Sequence, residues 1–305
     1  LQPYRKVYEG KNTMKPISIV ISGCMAGTLL AASLAHGQDV QPVREIGRTT
    51  ERELSVVLSS TFGSLAISKG EEEKVMIAEA SRKSSGLPMD LSYSVRNRVG
   101  YLDLSLGEGR EEGIGKKTSF NVSDLKGGKW YLKFSDAIPI SFDIELGVGN
   151  GDFDLSGLNV KDFNLSTGAS DVSLAFDKPN ETSIDNIHIE TGVSKFYARN
   201  LGNANFKHLR FEGGVGAYTL DFGGELTHEV DVDVEVGLGA LTLIVPKDVG
   251  ARVFFEETWV SRLDTDRDFQ PNGRDQYETD NYNSARGKMN IRIDSGLGSV
   301  KIRRH

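Results

Sequence analysis

The feature that most constrains this chain is a twelve-residue unit that recurs along its second half. Phe163-Asn164-Leu165-Ser166-Thr167-Gly168-Ala169-Ser170-Asp171-Val172-Ser173-Leu174 is one copy, and Ile187-His188-Ile189-Glu190-Thr191-Gly192-Val193-Ser194-Lys195-Phe196-Tyr197-Ala198 is the next. Further copies run over residues 209–220, 232–243 and 291–302, centred on Gly214, Gly237 and Gly296. Residues 142–155 form an earlier copy, with apparent slack at Gly147-Val148-Gly149-Asn150-Gly151. Gly168, Gly192, Gly214 and Gly237 lie 24, 22 and 23 residues apart. A fixed glycine at near-constant spacing marks a repeat architecture.

One unit shows its physics. Val232, Val234 and Val236 alternate with Asp231, Asp233 and Glu235. Period two means a strand with one face buried. Leu241 and Leu243 resume the alternation beyond Gly237, with Thr242 outside. The glycine and the small residue two places on permit a bend that a side chain would obstruct. A single unit cannot bury its own apolar face, whereas units stacked about 4.8 Å apart can. The expected fold is all-β: a β-solenoid or rack of parallel turns, favoured over an antiparallel sandwich by the even spacing.

Residues 41–140 follow the rule loosely. Thr61-Phe62-Gly63-Ser64-Leu65-Ala66-Ile67 and Arg98-Val99-Gly100-Tyr101-Leu102-Asp103-Leu104 carry half the motif. β-like runs lie at 74–80, 91–95 and 130–134, with a polar glycine-rich loop at 107–117. This section is expected to form a β-rich cap, because an open stack end exposes strand edges and core. The organisation expected is thus a leader over 1–37, an N-terminal β domain over 41–140, and a repeat stack over 141–305 that includes a loop at 256–288.

The leader reads as a secretory signal peptide. Met14-Lys15-Pro16 precedes a 19-residue uncharged run over 17–35, which exits through Ala35-His36-Gly37. Met14 is the expected start. Two other readings stand beside cleavage: an uncleaved membrane anchor, and lipidation of Cys24, since Ile21-Ser22-Gly23-Cys24 has the form of a bacterial lipobox. Each makes the protein exported, to the periplasm or cell surface, with membrane contact only through that N-terminal anchor. Cys24 is the only cysteine, so no disulfide forms after cleavage. Removing 1–37 leaves 32 basic and 42 acidic residues, a formal charge of −10. An acidic chain without a basic cluster argues against nucleic acid as a partner.

Residues 139–144 (Pro-Ile-Ser-Phe-Asp-Ile), 154–158 (Asp-Leu-Ser-Gly-Leu) and 201–206 (Leu-Gly-Asn-Ala-Asn-Phe) resemble the bacterial toast-rack proteins. Residues 243–250 (Leu-Ile-Val-Pro-Lys-Asp-Val-Gly), 282–285 (Tyr-Asn-Ser-Ala) and 295–300 (Ser-Gly-Leu-Gly-Ser-Val) resemble the C-terminal domain of LiaF-like cell-wall-active-antibiotic response proteins. The resemblance spans roughly 45–303. It implies an extracytoplasmic β-stack and carries no reaction with it. LiaF-like sensors have several membrane helices ahead of this domain, where this sequence shows one apolar segment.

Candidate chemistry is sparse. His188, His208 and His228 are evenly spaced, yet they fall four, six and nine places before Gly192, Gly214 and Gly237. They should not stack, and no shared metal site is expected. Glu190, Glu212, Glu235 and Asp294 each lie two residues before the key glycine, with Ser166 in that place in its copy. Neighbours in such an acidic column would repel by roughly 1 kcal/mol even in water. Calcium or a basic partner could relieve this, but a solvated outer face that keeps the stack soluble accounts for it more simply. His188, Arg210, Asp233 and Arg292 run alongside with mixed signs.

In the 256–288 loop, Asp264-Thr265-Asp266-Arg267-Asp268 with Asp275 twelfth resembles an EF-hand calcium loop. Phe269 stands where the sharp turn wants glycine, and the twelfth place is Asp rather than Glu. Trp259, Phe269, Tyr277 and Tyr282 could form a binding face or pack the loop onto the stack, and packing is the favoured reading. There is no nucleophile elbow, phosphate loop or dinucleotide turn. No catalytic, cofactor or metal residue is therefore assigned. The expected function is a non-catalytic cell-envelope protein presenting a rigid β-stack to an envelope protein or glycan. An enzyme acting on cell-surface polysaccharide, or an accessory subunit of an envelope-stress sensor, are the alternatives.

Overall fold

A computed structural model describes residues 40–81, 89–107, 128–256 and 261–305, the side chains of 40–43 excepted. Its strands, in chain order, are β1 (Val40–Gly47), β2 (Glu53–Lys69), β3 (Lys74–Ser81), β4 (Met89–Arg96), β5 (Val99–Leu106), β6 (Lys129–Phe134), β7 (Ile140–Asp154) and β8 (Val160–Ala175). There follow β9 (Ile184–Arg199), β10 (Phe206–Asp221), β11 (Glu229–Val245), β12 (Gly250–Phe255), β13 (Ser261–Thr265), β14 (Phe269–Pro271), β15 (Gln276–Thr279) and β16 (Lys288–Arg304).

Seven long strands carry the fold. β2, β7, β8, β9, β10, β11 and β16 lie side by side in that order, every neighbouring pair parallel. The parallel stack expected from the repeat is therefore present, and the antiparallel sandwich is not. The supposed slack at 147–151 is absent, because β7 pairs one-to-one with β8 from Ser141 to Asp154 apart from the glycine position itself.

Each long strand folds over at its glycine. In β11, Val230, Val232, Val234 and Val236 are buried, then Leu241, Leu243 and Val245. Parity flips across Gly237-Leu238-Gly239-Ala240, so both arms turn their apolar side inward. In β10, the rings of Phe211 and Tyr218 sit on opposite sides of Gly214, yet their centroids are 5.2 Å apart. Seven residues of straight strand would span about 23 Å. Phe196 of β9 likewise reaches Phe211 of β10 at 5.3 Å. The core is the interior of the bend, continued from rung to rung by Phe142, Phe163, Phe196 and Phe211. Burying each such side chain contributes about 1.5–3 kcal/mol.

Two small-residue columns make the bend stackable. A Cβ on Gly168, Gly192, Gly214, Gly237 or Gly296 would meet the carbonyl oxygen of the matching residue in the preceding rung at 2.5–2.8 Å. Two residues on, Gly149, Gly239 and Gly298 are tighter: a Cβ there would lie 1.7–1.9 Å from the carbonyl oxygens of Gly63, Gly216 and Gly239. Gly239 also has φ near 148°, a conformation closed to ordinary side chains.

The open mouth is closed by the connections between rungs. Leu158, Phe176, Leu201, Phe222 and Leu226 plug it. Asn180 satisfies their backbones: it donates to the carbonyls of Val160 (2.7 Å) and Thr182 (2.6 Å) and accepts from the Val160 amide at 2.8 Å. Asn203 repeats the device one rung on, donating to Phe176 and accepting from Glu225. Buried backbone groups require such partners.

At both ends the single bent sheet divides. The two arms of β2 pair separately with β5 and β6, and β6 continues antiparallel into β3 and β1. The two arms of β16 pair with β12 and β13. β12 continues antiparallel into β15, and β15 into β14. Three short strands thus occupy the segment read as a loop. β16 stands between β11 and β12, although it follows β12–β15 in the chain.

The column geometry predicts a sharp contrast between two glycines. Gly239→Ala should cost about 3 kcal/mol or more. Gly47→Ala, where nothing lies within 4 Å of the new methyl, should stay within about 0.5 kcal/mol. Urea unfolding of both variants is the check, and equal costs would remove the close approach as the reason for glycine.

Candidate functional site along the outer bend

Outside the bend, the residue between the two small columns points away from the core. In register across seven rungs these residues are Phe62, Val148, Ala169, Val193, Val215, Leu238 and Leu297. Val148, Val193, Val215, Leu238 and Leu297 are 45–61% exposed. Among the described residues their neighbours along the strand are glycines and serines, too small to cover them. At about 4.8 Å per rung the ridge is roughly 29 Å long. Scattered exposed aliphatics need no explanation, but a contiguous line of them does.

The acidic column runs parallel to this ridge. Glu145, Ser166, Glu190, Glu212, Glu235 and Asp294 are register partners, so Glu145 joins the four carboxylates picked out by sequence. The floor between ridge and carboxylates is the first glycine column. Where Ser166 interrupts the acids, the floor opens into a concavity of about 340 Å³, lined by Glu145, Gly147, Ser166, Gly168 and Glu190, and by Ser59 from the neighbouring rung.

A neighbouring arginine meets part of the like-charge cost. Arg210 bonds Glu212 and comes within 3.9 Å of Glu235, and His188 lies 3.4 Å from Glu212. The hydrogen bond from Arg210 holds the Glu212 carboxyl below the usual carboxylate range. The column is thus partly neutralised by the residues beside it. Glu145, Glu190 and Asp294 make no ion pair among the described residues.

The histidines occupy three different positions. His188 pairs in register with Arg210, and His208 with Asp231. His228 meets the Phe206 carbonyl at 2.7 Å. Among the described residues no group of three His, Cys, Asp or Glu is placed to hold a metal.

The aspartates of the EF-hand-like segment are drawn to two arginines instead. Asp264 pairs with Arg303, Asp268 with Arg304 at 2.7 Å, and Asp266 accepts from the Arg304 amide at 2.7 Å. Arg304, with its side chain 3% exposed, also donates to the carbonyls of Val249 (2.9 Å) and Lys247 (3.0 Å). Two aromatics pack this segment onto the stack. Phe269 is buried, and buried Tyr282 carries Arg252 over its ring at 4.0 Å and donates to Asn290 at 2.7 Å. Burial raises the Tyr282 phenol above its ordinary pKa. Tyr277 packs partly buried against the core. Trp259, Cys24, the leader and residues 108–117 lie outside the described residues. Among the described residues no helix is long and apolar enough to cross a membrane.

Sequence reading missed the ridge and the arginine clamp. The ridge had a signal: an aliphatic between two small residues in every copy, as in Gly147-Val148-Gly149 and Gly237-Leu238-Gly239. The clamp had none, because Arg303 and Arg304 lie 36–39 residues from their partners.

Two outcomes follow. Arg304→Ala should cost about 2–3 kcal/mol by stranding Asp268 and two carbonyls, with faster proteolysis within 261–287. Unchanged stability would contradict the clamp. Arg210→Ala should return the Glu212 titration, followed by carboxyl NMR, to the ordinary range. The sign follows from a lowered folded pKa: the pairing contributes above the unfolded carboxylate value near 4.3 and is lost as pH falls through the folded one.

A family model described as the N-terminal domain of toast_rack, DUF2154, matches residues 36–198 and 180–244. No curated protein matches. The chain is similar to a crystallised "putative cell adhesion protein" of Clostridium sporogenes, at 20% identity, TM-score 0.44, 87% of this chain and 99% of that one. It is also similar to "putative adhesins" of Bacteroides fragilis (12% identity, TM-score 0.33, 87% and 98% covered) and Parabacteroides merdae (8%, 0.34, 88% and 97%). With the family match running through the central rungs β7–β11, the chain belongs to the toast-rack family.

Proposed function

We propose that this is a non-catalytic, exported protein of the bacterial cell envelope whose stack presents the outer bend as a binding or adhesion surface. One observation carries the reading: the in-register apolar ridge from Val148 to Leu297, exposed on a scaffold that is otherwise well sorted into apolar inside and polar outside. Such a line marks an interaction surface. The outward carboxylates support a non-catalytic role. They recur along the column from β7 to β16, broken only at Ser166 and partly tied to Arg210 and His188, so they follow the register of the stack and are not gathered in one place. The leader supports export, and the LiaF-like resemblance of residues 243–250, 282–285 and 295–300 adds envelope stress as a setting.

The test presents the protein to a glycan array and to immobilised envelope proteins, beside a Val193→Asp/Leu238→Asp variant. Both changes are on the exposed ridge and should leave the melting temperature within about 2 °C. Expected is selective capture without product release, lost in the variant. Capture indifferent to the variant would overturn the ridge as the surface. Turnover of a captured glycan, abolished by one carboxylate substitution, would replace the reading with an enzyme.

A further inference from the structure

We propose that the partner is a cationic, amphipathic protein segment, bound extended along the trough between the ridge and the acidic column. This rests on the reading of the outer bend as a binding surface and names the chemistry of what binds there.

The trough has unlike walls. One is the aliphatic ridge, represented by Val193, Val215 and Leu238. The other is the acidic column, in which Glu190, Glu212 and Glu235 each stand three residues before those ridge positions. The floor is glycine, open to the approach of another backbone. An extended segment shows its side chains alternately to opposite sides. Alternating apolar and basic residues would therefore meet both walls at once. The two walls run together over the six rungs from β7 to β16, about 24 Å, which roughly seven residues span at about 3.3 Å each.

The charge is one-sided. Beyond the ridge, the next exposed positions are Asn150, Asp171, Lys195, Ala217, Ala240 and Ser299, which carry little net charge. A basic flank is thus attracted to one wall only, which fixes the segment's facing. The concavity at Ser166 gives the charge a specific seat. It lies between Glu145 and Glu190, two rungs apart and with no ion pair among the described residues, and about 340 Å³ admits a lysine or arginine head. Such a head between two carboxylates makes charge-assisted bonds to both.

A second copy fits less well. Two convex bends would touch along one line, far short of the roughly 800 Å² per partner of a stable interface. A bilayer surface supplies the apolar contact, but an anionic one would be repelled by the column.

The experiment uses the whole protein and four decapeptides at low and high salt: (Lys-Leu)5, (Ser-Leu)5, (Glu-Leu)5 and the block peptide Lys5Leu5. Vesicles of phosphatidylcholine, alone and with phosphatidylglycerol, are assayed in parallel. Expected is one-to-one binding of (Lys-Leu)5, at least tenfold tighter than (Ser-Leu)5 or the block peptide and weakened by salt. Val193→Ser/Leu238→Ser and Glu145→Gln/Glu190→Gln should each weaken it at least fivefold. Equal affinity for (Lys-Leu)5 and (Ser-Leu)5, lost in the ridge variant, would overturn the cationic partner while leaving the ridge as a binding surface. Sensitivity to the Glu→Gln pair without sensitivity to the ridge pair would overturn the proposal as unspecific charge attraction. Ridge-dependent vesicle binding without peptide binding would overturn it in favour of a membrane. Of the peptide and vesicle outcomes none touches the parent reading, which is defeated instead by capture on the arrays that ignores the ridge or by turnover of a captured glycan.

Discussion

Everything in this structure depends on the fold-over at the paired small residues. Parallel strands ordinarily need a crossover of a dozen or more residues to bring the chain back to its starting edge. Here each strand returns by itself. Its second arm ends beside the start of the next strand, so five to eight residues suffice between β7, β8, β9, β10 and β11. The condition is a backbone that doubles over while a neighbour lies directly against it. Carbonyl oxygens of one rung then occupy the space where the next rung's Cβ atoms would be, as Gly216 does for Gly239. The glycines thus supply both the bend and the close approach.

That arrangement fixes the chemistry of the surface. Register partners recur in columns, so any property repeated in the sequence becomes a line on the molecule. Valine and leucine at the bend become a ridge, and glutamates three residues before them become a band of charge. Lines of like charge cost energy, and Arg210, shared between Glu212 and Glu235, offsets part of it. The mouth obeys the same rule in polar form: Asn180 and Asn203 perform equivalent hydrogen bonding one rung apart. Extensive repetition makes the body stiff, and leaves the irregular segments at the two ends to seal it.

Legibility followed repetition. The alternation of Val232, Val234 and Val236 with charged neighbours identified the strand and its buried face, and the spacing of Gly168, Gly192 and Gly214 identified the parallel stack. The 147–151 stretch misled because three glycines looked like surplus length. Two of them fill the two columns, and a Cβ at the third, Gly151, would strike the ring of Phe153 at 2.8 Å. The aspartates of 264–268 are a different case. Their spacing is compatible with a calcium loop, but the charge that satisfies them, from Arg303 and Arg304, arrives from a distant part of the chain. The ridge was visible in principle, in a residue type that attracts attention only once its exposure is known.

The position of β16 bears on how the molecule is made. The chain completes β11, lays down β12 to β15, and only then produces the strand that lies between β11 and β12. During synthesis the edge of β11, with its backbone groups and half its valine core, has no covering neighbour. β11 can therefore gain its second neighbour only after β12 to β15 have been made, and β16 must enter between two strands already synthesised. Until then a β16 from another chain fits the same slot as well as the molecule's own. The order of the strands thus makes exchange between copies a hazard of folding rather than of the finished protein.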